Sequence, residues 1–145
     1  MFKRILVAYD GSAAGQRALL ETDEIAQLTG AELHLIAVMP PPSAFIGGEG
    51  FVYDAEAEKQ EREQFQSVLR EGARHLETAG HKVQGEMVVG DAVDEITKCA
   101  AKLDVDLIVV GHQHRSSWAA RWWAGSVSKA LIEHAPCSVL VVITR

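Results

Sequence analysis

Asp10, followed by Gly11 and Ser12, stands just past the apolar run Ile5-Leu-Val-Ala8. A carboxylate at the end of a buried strand could accept a hydrogen bond from a ligand amine or hydroxyl. It could equally hold its own turn or cap the next helix, as aspartate often does. A second cluster, Gly111-His-Gln-His-Arg-Ser-Ser-Trp-Ala-Ala-Arg-Trp-Trp-Ala-Gly-Ser-Val127, follows another apolar run, Leu107-Ile-Val-Val110. A glycine at a strand's carboxyl end, a loop of about a dozen residues and Gly125-Ser126-Val127 at a helix start have the layout of a phosphate cradle. Backbone N–H groups and the positive end of the helix dipole converge there, beside the Ser126 hydroxyl. The alternatives are structural. Gly111 could permit a positive φ, Gly125 could allow close packing, and Ser126 could simply cap the helix.

Other chemistries find less support. No G-x-x-x-x-G-K-[ST] places a lysine on a β/γ-phosphate, and no G-x-G-x-x-G marks a dinucleotide site. No G-x-S-x-G elbow is present, so Ser12 reads as a cap and no residue takes a catalytic role. His112 and His114, even with Asp10 near, fall short of the four ligands of a closed zinc site, and no metal is assigned. Trp118, Trp122 and Trp123 are the only three tryptophans. They could stack on a base, form a partner surface or cover the sheet edge.

The elements that would position these residues are legible from periodicity. The first strand, Ile5-Leu-Val-Ala8, turns through Asp10-Gly-Ser into a helix whose apolar face comprises Ala18, Leu19, Ile25, Ala26 and Leu28, ended by Gly30. Glu32 to Val38 is the second strand, and residues 39–53 read as a Pro- and Gly-containing surface loop. A charged helix from near Asp54 to about Ala79 carries Phe65, Val68, Leu69 and Leu76 as its buried stripe. Lys82 to Val89 is the third strand. Gly90-Asp91 opens a helix through Ala101, with Val93, Ile96 and Ala100 inward. Leu107 to Val110, a helix from Gly125 to about His134, and Ser138 to Ile143 complete the order.

Strands alternating with helices predict a doubly wound, Rossmann-like α/β domain spanning residues 1–145. Its five parallel strands would run in the order 3-2-1-4-5, with helices on both faces. The switch point then lies between the first and fourth strands, where Asp10 and Gly111 both fall.

The net charge of −6 argues against a general nucleic-acid binder, which needs a basic stripe. No apolar run reaches membrane-spanning length, and Met1-Phe-Lys-Arg4 lacks a signal-peptide core. Cys99 and Cys137 read as small hydrophobes of a reducing compartment, so a cytoplasmic location is expected. The last strand ends the sheet. Val139, Val141 and Ile143 share one of its faces, predicting a homodimer by antiparallel edge pairing.

Three segments together resemble the universal stress protein family over essentially the whole chain. They are Val7-Ala-Tyr-Asp-Gly-Ser12, the Gly111–Val127 loop and the ending His134-Ala-Pro-Cys-Ser-Val-Leu-Val-Val142. The resemblance implies an adenine-nucleotide-binding stress-response or signalling module that takes ATP, alone or with Mg2+, and hydrolyses it slowly at most. By that resemblance Asp10 would contact adenine or ribose, the Val38 backbone would meet the adenine edge, and Ala8 and Val110 would line the base pocket. Gly111 would lie under ribose and phosphates, and Gly125, Ser126 and Val127 would hold the phosphate chain. The family pattern is G-x-x-G, nine residues, then G-[ST]. Here His114 replaces the second glycine, and ten residues, Arg115 to Ala124, precede Gly125. A histidine forced into the left-handed region costs about 1–2 kcal/mol, although a protonated His114 could contact phosphate directly. Arg115 and Arg121 each could pair with phosphate. Some branches of the family lack nucleotide binding. The alternative is therefore a dimeric module that engages an unidentified protein partner through its tryptophan-containing loop.

Overall fold

The computed structural model describes residues 1–41, 55–113 and 125–144, with the backbone alone at 125 and 126. The elements run β1 (Arg4–Ala8), α1 (Ala13–Thr29), β2 (Glu32–Met39), α2 (Ala55–Thr78), β3 (Val83–Val89), α3 (Ala92–Lys102), β4 (Leu107–Gln113), α4 (Gly125–His134) and β5 (Ser138–Thr144). All four strand pairings are parallel, and the sheet order is β3-β2-β1-β4-β5, as the alternation of elements predicts. The central strands are largely apolar because helices cover both of their faces.

Alternating side chains build two cores. Ile5, Val7, Tyr9, Leu33, Leu35, Leu107 and Val109 face one way and pack with residues of α1 and α2. Leu6, Ala8, Ile36, Val38, Ile108 and Val110 face the other way and pack with residues of α3 and α4.

Ser12 caps α1 by accepting the Gly15 N–H at 3.0 Å, and Gly30 ends the helix with a φ of 69°. Both roles match the sequence reading. Leu28 does not, being 83% exposed. It lies about 200° around the helix from buried Ala26. Thr22 occupies the core stripe, its hydroxyl donating to the Ala18 carbonyl at 2.7 Å. On α2, Leu76 is buried while Phe65, Val68 and Leu69 are only partly covered. On α3, Ile96 and Ala100 are inward as expected, joined by Cys99. The Cys99 thiol donates to Glu86 at 3.2 Å, and burial, with Glu86 beside it, pushes its pKa up to about 12. That thiol is an inert core group.

The strand β4 runs to Gln113, past its apolar stretch. Pairing of Gly111, His112 and Gln113 with Val142, Ile143 and Thr144 of β5 holds it extended. His112 is therefore a strand residue and not part of the loop.

Away from the carboxyl end of the sheet, the His81 ring donates to Asp23 at 2.6 Å, tying α1 to the start of β3. Hydrogen bonds from His81, then Gln27, hold the Asp23 carboxyl below its ordinary value of 3.8. Its stabilising contribution is complete above the unfolded value and is lost as pH falls through the lower folded one. Asp23→Asn is expected to cost about 1 kcal/mol at pH 7. In urea titrations the gap to the parent protein should close as pH is taken down through the folded value.

Candidate functional site

The first strand ends before its neighbours do. Its register with β4 stops at Ala8 opposite Val110, while β4 continues to Gln113. Its last bond to β2 runs from the Tyr9 N–H to the Ile36 carbonyl at 3.0 Å, while β2 continues through Val38 to Met39. A notch results at the carboxyl end of the sheet, flanked by the ends of β2 and β4. This is the switch point, where open α/β sheets bind ligands.

Backbone alternation decides what faces into the notch. The Ile36 carbonyl points toward β1, whereas the Met39 carbonyl accepts from Gly90 on the β3 side at 2.9 Å. The Val38 N–H and carbonyl, two residues past Ile36, therefore point the same way as Ile36, beyond the place where β1 turns off. A strand edge offering one donor and one acceptor matches the edge of a purine base.

Asp10 stands at the mouth of the notch. Gly11 takes a φ of 80°, a conformation that suits glycine, and so swings the chain into α1. Asp10 Oδ1 accepts the Ser12 N–H at 2.9 Å. The turn-holding role is thus real, and it leaves the carboxylate's other acceptor positions for a ligand. Burial raises the Asp10 pKa above the ordinary carboxylate value, with hydrogen bonds from Ser12 pulling it partway back.

Gly111 has a different reason to be glycine than backbone freedom. The positive-φ glycines among the described residues are Gly11, Gly30 and Gly80. At Gly111 a β-carbon would collide with the Ala14 carbonyl oxygen and lie 2.7 Å from the Gly15 nitrogen. The first turn of α1 lies directly on β4 there, backbone against backbone.

The structure brings Ala8, Asp10, Val38, Val110 and Gly111 together around the notch. Ala8, Val38 and Val110 are at most 2% exposed. Their side chains form a floor packed under Ile96 and Leu131 rather than open walls. Val127, in the first turn of α4, packs on the same cluster. Gly125 and Ser126 open α4, as the cradle requires, with only their backbone described. His114, Arg115, Arg121, Trp118, Trp122 and Trp123 lie outside the described residues, as do residues 42–53 of the surface loop. Among the described residues no group of three His, Cys, Asp or Glu side chains could hold a metal. Nor is any helix there long and apolar enough to cross a membrane.

Sequence reasoning missed Tyr9, Gly15 and Gly72. Tyr9 is 2% exposed, and its ring lies where a β-carbon on Gly15 or Gly72 would come within 3.0 Å. The available signal was a glycine inside each of two helical patterns, which costs stability unless something needs the space.

Comparisons with known proteins agree with this fold. The model of the Universal stress protein family matches residues 1–142. A universal stress protein of Methanocaldococcus jannaschii is 33% identical over 145 residues, covering 98% of this chain and 82% of the relative. Among solved structures, a universal stress protein family member from Burkholderia pseudomallei superposes with a TM-score of 0.75 at 25% identity, covering 97% of this chain and 95% of that one. A universal stress protein in complex with cAMP gives a TM-score of 0.71 at 24% identity, covering 99% of each chain.

The backbone contact at Gly111 predicts a stability defect independent of any ligand. Gly111→Ala should lose about 1–3 kcal/mol in urea denaturation. Gly85→Ala should lose less, because its nearest neighbour is the flexible Leu69 side chain at 3.2 Å. Equal costs would contradict the role assigned to Gly111.

Proposed function

The chain belongs to the universal stress protein family, and on that premise we propose that it binds an adenine nucleotide, ATP or a close relative, in the notch between β1 and β4. Occupancy would make it a cytoplasmic stress-response or signalling module. The observation that supports this best is the early end of β1, which leaves the Val38 backbone and the Asp10 carboxylate facing one gap at the switch point. The cAMP complex of a protein sharing this fold supports the ligand class.

In this reading the Val38 N–H and carbonyl read the adenine edge, and Asp10 accepts from the base amine or a ribose hydroxyl. The base rests on the rim above Ala8 and Val110. The start of α4, from Gly125 through Ser126 to Val127, faces the phosphates with its free N–H groups and positive dipole end. Mg2+, where it accompanies ATP, supplies charge neutralisation on the phosphates. Among the described residues none is aimed as a general base at a γ-phosphate, and the reading takes turnover to be slow at most.

We further propose that two copies pair through β5, which has β4 on one side only. Val139 and Val141 pack into the chain's own core, so the expected apolar row is not free as a unit. Ile143, 57% exposed, and the edge backbone would carry the contact. Ile143→Lys should leave folding intact and shift sedimentation at micromolar concentration from dimer to monomer. A parent protein that sediments as monomer would contradict dimerisation.

Asp10→Asn separates binding from folding. The amide oxygen can still accept from Ser12, while the cost of burying an ionised carboxylate disappears, so Tm at pH 7 should hold or rise. ATP affinity should fall about 10- to 100-fold, the loss of roughly 1.5–3 kcal/mol in a charged hydrogen bond. Ligand donors favour the carboxylate, so parental affinity should climb as pH rises through the raised Asp10 value, then level off. Fluorescent-ATP titration, with mass spectrometry of ligand retained through native purification, reads both effects. No saturable binding at millimolar ATP would sink the proposal and leave the interaction-module alternative.

A further inference from the structure

The face of the sheet opposite the Ala8–Val110 floor holds a buried aromatic next to the residue that matters most in the notch. The Tyr9 ring is clasped between two helices at positions that lack side chains. A β-carbon on Gly15 of α1 would lie 3.0 Å from its Cδ1, and one on Gly72 of α2 would lie 2.8 Å from its Cδ2. Gln16 of α1 and Glu71 of α2 both lie close enough to the Tyr9 hydroxyl to act on it electrostatically. Tyr9 also makes the last β1–β2 backbone bond before Asp10.

Gly15 touches Asp10 as well. A β-carbon there would sit 2.9 Å from Asp10 Oδ1, the same oxygen that accepts from Ser12. The Gly15 N–H in turn donates to the Ser12 hydroxyl. The first turn of α1 cannot retreat from such a methyl, because its backbone already rests on Gly111 of β4. The side that yields is the Asp10 carboxylate, held by side-chain torsions and the one bond from the Ser12 N–H.

From this geometry we infer that Tyr9, with Gly15 and Gly72 as its seat, is the positioning residue for Asp10. The clasped ring fixes where β1 ends, and the missing side chain at Gly15 leaves the space in which the carboxylate is aimed at the notch. Size at position 9 and its absence at positions 15 and 72 act as one set. The inference rests on the nucleotide reading for its consequence but not for its geometry.

A double-mutant cycle tests it with AMP as the probe, titrated into the full chain by calorimetry. Gly15→Ala should weaken AMP binding about tenfold in the parent and less than twofold in an Asp10→Ala background, because contacting positions couple. Adding Tyr9→Leu to Gly15→Ala should restore part of the loss by relieving the crowding. Equal loss in both Asp10 backgrounds would overturn the inference, since a general structural defect weakens binding whether or not Asp10 is present. Independently of nucleotide, the Ser12 amide should lose hydrogen-exchange protection in Gly15→Ala by more than neighbouring α1 amides do. Uniform loss, or none, counts against the inference. If the parent binds no AMP, the nucleotide reading fails and the Ser12 amide alone decides. Should Gly15→Ala not fold, Tyr9→Leu alone, which removes the clasped ring, should lower both AMP affinity and Ser12 protection about twofold. No change in either would refute the role.

Discussion

The contact of the first turn of α1 with Gly111 of β4 is the constraint from which the rest of the site follows. Backbone meets backbone there, with no room for a methyl group between Gly111 and Ala14. To reach that seat the chain must leave the sheet right after Tyr9, and it does so through the positive φ of Gly11 and the Asp10–Ser12 turn. Leaving early, β1 opens the notch between the ends of β2 and β4. One glycine on the fourth strand thus works with the clasped Tyr9 ring to set where the first strand stops.

The sheet divides the labour between its faces. The α1/α2 side is packed around Tyr9 and sets the position of the turn. On the other side, Ala8, Val38 and Val110 supply the floor below the gap. Asp10 stands at the boundary. A carboxylate kept in a partly desolvated place, with its pKa raised by that burial, is a cost to folding that packing does not require. Such costs gather where a protein must present a charge to a ligand.

The fold was legible in the sequence because its two strongest signals agree. Apolar runs at Ile5–Ala8 and Leu107–Val110 could only be strands covered on both faces, and the helices between them forced parallel crossovers. Turn chemistry at Ser12, Gly30 and Asp91 placed helix ends to within a residue or two. The misses are those of local reading. Leu28 looked inward because hydrophobicity was counted without its angle around the helix. His112 looked like loop because the pairing that holds it extended comes from β5, far along the chain. Val141 turns out partly buried against the chain's own core, which nothing local in the sequence shows, while the expected edge pairing itself stands as a proposal. Around the notch, the placement of Asp10 and Gly111 at the switch point could be read, whereas the packing reason for Gly111 could not. Its partner atoms are backbone atoms of residues 14 and 15, and backbone contacts leave no pattern of residue types. Tyr9 was hidden for a related reason, since its seat consists of absent side chains.

The central claim is that the notch, and not the opposite face, receives an adenine nucleotide. Amide chemical-shift mapping on isotope-labelled protein, titrated with AMP, tests it most directly. The account predicts saturable shifts at Asp10, Gly11, Ser12, Val38, Met39, Gly111 and Val127, with Leu35, Gly72 and Leu76 on the α2 side unmoved. No saturation at millimolar AMP, or shifts centred on Gly72 and Leu76, would contradict it.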